Sequence, residues 1–251
     1  MMRVGLRIAY LGTHFSGFQV QPDKRTVQGE LCRCLSEYFG APVRVTGCSR
    51  TDSGVHARDF HAVIEVDGES AVSVPTERLP LALRPYLPSD LSVLSAFDVP
   101  SDFHVRHDVV SKEYRYTVYR AFAPDPFLAD RAWHLVHKFK DGYLDAMREA
   151  AAHLVGRHDF AAFMAQGSQV SDTVRTVFRI GIEEEDACIT FSVVGDGFLY
   201  NMVRIIVGTL IDVAKGKLTA DDVLRILRSR DRKNAGQTAP PEGLCLWKVL
   251  Y

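Results

Sequence analysis

Residues 43–66 read VRVTGCSRTDSGVHARDFHAVIEV, and they combine two alternating apolar segments with a polar loop between them. The alternating apolar residues are Val43 and Val45 before the loop, and Ala62, Ile64 and Val66 after it. Alternation with a period of two is typical of half-buried strands. The segment therefore predicts strands near residues 43–48 and 60–67. The loop between them would be held by rigid neighbours, where functional residues tend to lie.

The loop itself places a cation, a hydroxyl and a carboxylate side by side, at Arg50, Thr51 and Asp52. Gly54 follows, where the backbone can adopt conformations that other residues resist. An arginine beside a carboxylate favours the ionised form of the acid. That suits a nucleophile or an electrostatic stabiliser better than a general acid. The alternative is an ordinary turn, in which Asp52 caps nearby backbone and pairs with Arg50.

The pattern up to about residue 105 predicts strand, helix, strand, strand, helix, strand. The first strand ends at Tyr10, and a helix capped by Thr26 ends at Gly40. The two strands of the opening segment follow the helix. A short helix over 75–87 and a strand over 91–99 complete this half.

The second half shows a similar order of elements. Residues 112–120 predict a strand with Tyr114, Tyr116 and Val118 on one face. Further strands are predicted at 176–183, 188–195 and 244–250, and helices at 141–155 and 198–214. Thr219 with Asp222 forms a variant of the capping box that opens a last helix. Two mixed halves, 1–105 and 106–251, predict an α+β fold built on antiparallel sheets.

Composition narrows the class of protein. The chain has 251 residues, of which 47% are hydrophobic and 24% charged, which are globular values. It has no apolar run of about 18 residues, so we expect no membrane partner. An odd count of five cysteines favours reduced thiols and a cytoplasmic location. The net charge of −1 argues against a nucleic-acid partner, because nucleic-acid-binding proteins are usually basic overall, but it leaves room for a local basic cleft.

Several other side chains could carry chemistry, each with a structural alternative. Tyr114 could stack on a base or simply fill a core face. Residues 102–107 crowd cations that could hold phosphate or form a solvated hinge. Arg204 lies in an apolar helix and needs a partner, for which Asp52 is the natural candidate. His56 and His61 are five residues apart, which matches no helical ligand spacing, so we predict no metal site.

Seven motifs together resemble the TruA-type tRNA pseudouridine synthases over nearly the whole chain. They are, in order, residues 15–19 (FSGFQ), 50–57 (RTDSGVHA), 102–106 (DFHVR), 112–116 (KEYRY), 154–160 (LVGRHDF), 198–204 (FLYNMVR, with Gly208) and 242–244 (EGL). Phe18 stands where the family usually has tryptophan. Ser49 replaces a usual glycine, and Leu11 replaces a frequent aspartate.

The resemblance implies a fold and roles for particular residues. Two similar ferredoxin-like or RRM-like halves would join around a central catalytic cleft, with the second half completing the active site and the dimer interface. Asp52 would be the essential aspartate, supported by the side chains of Arg50, Tyr114, Arg204 and Leu244. Gln19, His104, Arg106 and Lys112 would contact RNA.

The resemblance also implies a reaction and partners. The enzyme would isomerise uridine to pseudouridine at positions 38, 39 and 40 of the tRNA anticodon stem-loop, without metal or cofactor. It would act as a homodimer, with each tRNA lying across both subunits. Two other classes remain as alternatives: an RNA-binding protein without activity, and a metal-dependent hydrolase that uses Asp52, His56 and His61.

Overall fold

The computed structural model describes residues 2–67, 74–167 and 170–251, and it divides into two units. Unit 1 comprises the chain up to Val110 together with Leu246–Tyr251, and unit 2 comprises Ser111–Cys245. In chain order the elements are β1 Met2–Tyr10, α1 Val27–Phe39, β2 Val43–Gly47, β3 His56–Val66, α2 Leu79–Leu83, β4 Leu91–Asp98, β5 Ser111–Tyr119, β6 Trp133–His134, α3 Tyr143–Ala152, β7 Gly156–Asp159, β8 Val174–Glu185, β9 Cys188–Gly195, α4 Met202–Ala214, α5 Ala220–Ser229 and β10 Leu244–Leu250.

Unit 1 is built on an antiparallel sheet. The central strands follow the order β4-β1-β3, and both β2 and β10 pair with β3. Thr26 caps the start of the helix α1, and its side chain accepts a hydrogen bond from the Gly29 N–H, while Gly40 caps the end in the left-handed conformation. Both caps were predicted and are confirmed. The helix buries Val27, Leu31 and Leu35 on one stripe, which is the 3.6-residue pattern of an amphipathic helix.

The strands of unit 2 follow the order β5-β9-β8-β7, with antiparallel pairing throughout this path. The exception is the short strand β6, which pairs with β5 in parallel. Tyr114, Tyr116 and Val118 are all buried on one face of β5, as their alternation predicts. The prediction of an α+β fold with two mixed, mostly antiparallel halves is therefore confirmed. The predicted domain boundary after residue 105 stays a prediction.

Element boundaries differ from the predictions where the backbone leaves the helical region. The predicted helix at 198–214 begins only at Met202, because Asn201 is left-handed with φ 59°. The predicted helix at 141–155 is shortened to Tyr143–Ala152, and it follows left-handed Gly142. The predicted helix at 75–87 consists of a 3-10 turn over Thr76–Arg78 followed by α2. The short strands β6 and β7 were not predicted.

The structure bears on the state of the cysteines and on helices that could span a membrane. All five cysteines are free thiols. Within the described part of the chain, no helix is both long enough and apolar enough to cross a membrane.

Candidate active site

The loop that carries Asp52 joins two paired strands of unit 1. Gly47 at the end of β2 lies opposite Ala62 on β3, and the Cys48 N–H donates to the His61 carbonyl at 2.9 Å. Gly54 has φ +80°, a conformation that strains any residue with a Cβ. The Val55 N–H closes the turn on the Asp52 carbonyl at 3.2 Å. The loop is therefore fixed at both ends before any side chain is considered.

Thr51 anchors the loop beside Asp52. Its side chain is buried, and its Oγ1 lies 2.7 Å from the hydroxyl of Tyr10 on β1. Its carbonyl accepts the Phe18 N–H at 3.0 Å. The neighbouring Asp52 is half-buried and Arg50 is exposed. A residue held on both its side chain and its backbone restricts the positions that the next carboxylate can take.

The motif at residues 15–19 packs directly on the Asp52 loop. The Phe15 carbonyl accepts hydrogen bonds from the Gly54 N–H and the Ser53 hydroxyl, each at 3.3 Å. Gly17 is left-handed, and a Cβ there would stand 2.8 Å from the Thr51 carbonyl oxygen. Phe15 and Phe18 are buried, whereas Gln19 projects from the surface. Two motifs that are about thirty residues apart in sequence thus form one structure.

The two histidines near Asp52 serve local structure. His56 is buried, and its Nδ1 accepts the Gly12 N–H at 2.9 Å. His61 Nε2 lies 3.2 Å from Asp59, a carboxylate that also pairs with Arg7. Across the described residues, no group of three or more His, Cys, Asp or Glu side chains could hold a metal ion.

Arg106 is a partly buried cation of unit 1. Its Nη2 donates to the Gly47 carbonyl at 3.3 Å, at the point where β2 meets the Asp52 loop. Its buried Nε has no hydrogen-bond partner among the described residues. Burial, and then repulsion from Arg50, lower the pKa of Arg106. A guanidinium that is partly desolvated near a second one would gain from a bound anion.

His104 lies two residues before Arg106 and is exposed. Its Nδ1 accepts the backbone N–H groups of Arg106 and His107, both at 3.3 Å. The backbone N–H of His104 donates to the Asp108 carboxylate at 2.7 Å. The segment around Arg106 is therefore a folded turn rather than an extended hinge.

In unit 2, Tyr114 and Tyr116 project from the same face of β5. Tyr114 is 7% exposed and packs edge-to-face on Phe198, with ring centroids 5.2 Å apart. Tyr116 is fully buried and donates its hydroxyl to the Pro240 carbonyl at 2.7 Å. Burial raises the pKa of Tyr116 far above its usual value, so it stays neutral. Lys112 is half-buried near the start of the same strand, opposite Gly195 on β9.

Arg204 lies in the first turn of α4 and is held at two points. Its Nε donates to the Ala239 carbonyl at 2.7 Å, and its Nη1 donates to the Asn201 side-chain oxygen at 2.6 Å. Leu244 is 6% exposed and follows Gly243, where a Cβ would stand 2.6 Å from the Tyr116 ring.

The predicted site residues are thus distributed over both units. Unit 1 carries Gln19, Arg50, Asp52, His104 and Arg106, and unit 2 carries Lys112, Tyr114, Arg204 and Leu244. Asn201 was not predicted as a site residue, because the predicted helix ran through it. Asparagine directly before an apolar helical pattern is a common helix-start signal, and it could have indicated the boundary.

Comparison with known proteins agrees with the motifs. The chain matches the model of a family described as tRNA pseudouridine synthase, over residues 7–108 and 150–251. A protein of Halalkalibacterium halodurans named tRNA pseudouridine synthase A is 45% identical over 97% of this chain and 90% of its own length. A protein of the same name from Bacillus subtilis is 44% identical over 100% of this chain and 99% of its own length.

Proposed function

The chain belongs to the tRNA pseudouridine synthase family and is an isomerase, and we propose that it converts uridine to pseudouridine at positions 38, 39 and 40 of the anticodon stem-loop. Asp52 is the essential carboxylate in this proposal. The observation that carries its role is the fixed backbone around it. Thr51 is buried and bonded on one side, and Gly54 is left-handed on the other. Such a loop holds its carboxylate in place before substrate arrives.

The reaction rearranges bonds within one nucleotide. The N1–C1′ bond breaks, the uracil turns, C5 bonds to C1′, the proton on C5 is lost and N1 gains a proton. No electrons are gained or lost overall. An ionised carboxylate near C1′ and the ring can attack either, or can assist loss of a proton from the sugar. In each of these routes Asp52 must be unprotonated.

The side chains of unit 2 complete the site in this proposal. Arg204 pairs with Asp52 and keeps it ionised. Tyr114 stacks on the uracil, and its hydroxyl helps to move a proton. Leu244 closes the pocket. The burial of Tyr114 on Phe198 supports its role, because a ring held in a fixed plane is a better stacking surface.

Cationic side chains would bind the RNA backbone. Arg106 and Lys112 hold phosphates, while Gln19 and His104 make further RNA contacts. The partly desolvated guanidinium of Arg106 supports an anion at that place. The target uridine must leave the stem, which costs a few kcal/mol. Arg50, exposed on the Asp52 loop, stabilises the vacated stack.

The proposal also includes assembly and location. The enzyme acts as a homodimer in the cytoplasm, with one tRNA lying across both subunits and its anticodon arm in one active site. Recognition through RNA shape suits an enzyme that reaches three adjacent positions.

Tritium release from tRNA labelled at uracil C5 tests the function. The wild type, Asp52→Asn and the control Asp67→Asn are compared in excess EDTA. Asp67 is a half-exposed carboxylate in unit 1 that pairs with Arg44. We expect release from the wild type and from Asp67→Asn, and none from Asp52→Asn. Three substrates, each with uridine at only one of positions 38, 39 and 40, test the positional claim.

The other outcomes separate the alternatives. Release that EDTA abolishes would favour a metal-dependent enzyme. A folded wild type that binds tRNA without releasing tritium would favour an RNA-binding protein and refute the proposal. Undiminished release by Asp52→Asn would refute the role of that carboxylate.

A further inference from the structure

Asn201 adopts an unusual backbone conformation directly before α4. Its φ of 59° and ψ of 12° lie in the left-handed region, which asparagine tolerates better than other residues with a Cβ. An asparagine at a helix start usually accepts a hydrogen bond from a backbone N–H of the first turn. Asn201 makes no such bond. Its side-chain oxygen accepts the Nη1 of Arg204 instead, at 2.6 Å.

The same guanidinium is held from a second chain segment. Arg204 Nε donates to the Ala239 carbonyl at 2.7 Å, and the Ala239 N–H donates to the Arg204 carbonyl at 3.1 Å. This segment is itself fixed on α4, because the Gly236 N–H donates to Thr209 Oγ1 at 3.0 Å. Two contacts on a planar group set both its position and its rotation.

The chemistry of the two acceptors suits an orienting role. Both are neutral oxygens, an amide and a backbone carbonyl, so neither cancels the charge of Arg204. The two contacts use two of the five N–H donors of the guanidinium. A carboxylate at position 201 would hold the guanidinium equally well but would compete for its charge.

We propose that Asn201 is a positioning residue, which orients Arg204 toward the reacting carboxylate and leaves its charge available. This inference rests on the proposed function, in which Arg204 acts on Asp52. The left-handed backbone at Asn201 is energetically unfavourable for a residue with a Cβ, and it brings the side-chain amide to the guanidinium.

Asn201→Gly removes the amide and keeps the backbone, because glycine adopts φ near 60° without strain. Asp186→Gly is the matched control. Asp186 is also left-handed, with φ 52°, and it lies in the turn between β8 and β9. Both variants should fold and keep their Tm. We expect Asn201→Gly to lower kcat by tenfold or more, up to about a hundredfold, with KM for tRNA unchanged. Asp186→Gly should match the wild type in both constants.

Two further measurements separate positioning from a general structural effect. Relaxation of the Arg204 15Nε–1H group should show greater mobility in Asn201→Gly than in the wild type or in Asp186→Gly. In an Arg204→Lys background, Asn201→Gly should cause little additional loss of kcat, since residues that act through one another are not additive.

An unchanged kcat, an equally rigid Arg204 or a fully additive loss would each overturn the inference. The proposed function fails separately, if the wild type itself forms no pseudouridine. The relaxation comparison would then decide alone whether Asn201 orients Arg204.

Discussion

Replacing Thr209 by valine tests how the segment that holds Arg204 is fixed. Thr209 is 0% exposed in α4. Its Oγ1 donates to the Ile205 carbonyl at 2.8 Å and accepts the buried Gly236 N–H at 3.0 Å. Valine has nearly the same shape but no hydroxyl. The substitution therefore removes an acceptor without opening a cavity.

The expected cost follows from the group that loses its partner. A buried N–H without an acceptor costs about 1–3 kcal/mol, and the two residue types differ little in helix propensity. For a chain of this size, each kcal/mol lowers the Tm by about 2–4 °C. Thr209→Val should therefore lower the Tm by roughly 2–12 °C. It should also reduce activity in the surviving folded protein, because Gly236 leads to the Ala239 carbonyl that holds Arg204.

Urea unfolding, together with amide hydrogen exchange at Gly236, measures both effects. Thr209→Ser is the control, since it keeps the hydroxyl and loses only a methyl group. The Gly236 amide should exchange faster in the valine variant and stay protected in the serine variant. Equal protection in both variants, with stability within about 0.3 kcal/mol of the wild type, would refute the reasoning.

Three other predictions concern unit 1. Gly54→Ala should lower the free energy of unfolding in urea by about 1–2 kcal/mol, because φ is +80° at this position. It should also reduce tritium release. A variant as stable as the wild type would show that the loop relaxes without strain. Asp90→Asn breaks a two-point ion pair with Arg25, at 2.7 and 2.9 Å, and solvent screening limits its cost to about 1 kcal/mol or less. The hydrogen bond from Arg25 lowers the pKa of Asp90 in the folded protein. The stabilisation by this ion pair is therefore fully present above the ordinary aspartate pKa of about 3.9. It is lost as the pH falls through the lower pKa of the folded state. Urea midpoints of wild type and Asp90→Asn should therefore converge below pH ~4, and parallel curves would contradict this. Arg106→Gln should weaken tRNA binding and reduce the slope of log Kd against log salt by about 1. The control Arg44→Gln, at an exposed ion pair on β2, should leave that slope unchanged. Equal slopes for the two variants would exclude a phosphate contact at Arg106.

Some features of the fold were predictable because neighbouring residues specify them. The caps of α1 at Thr26 and Gly40 are local hydrogen-bonding and backbone preferences. The capping box of Thr219 and Asp222 is equally local, and both of its bonds are present. Strand alternation also gave the bounds of β10 correctly. The short strands β6 and β7 were missed because two and four residues are too few to show a period.

The sequence by itself determined the α+β class, the order of the main elements and, through seven motifs, the family and the candidate residues. Only the tertiary structure decided how those residues are held. Thr51 meets Tyr10 across 41 positions, and Arg204 meets Ala239 across 35. No local pattern encodes such a pair, because its partners are brought together by the packing of whole strands and helices. Asn201 shows a related limit: its left-handed conformation makes the predicted helix begin late, at Met202, and its side chain meets an arginine whose other partner, Ala239, lies 35 positions away.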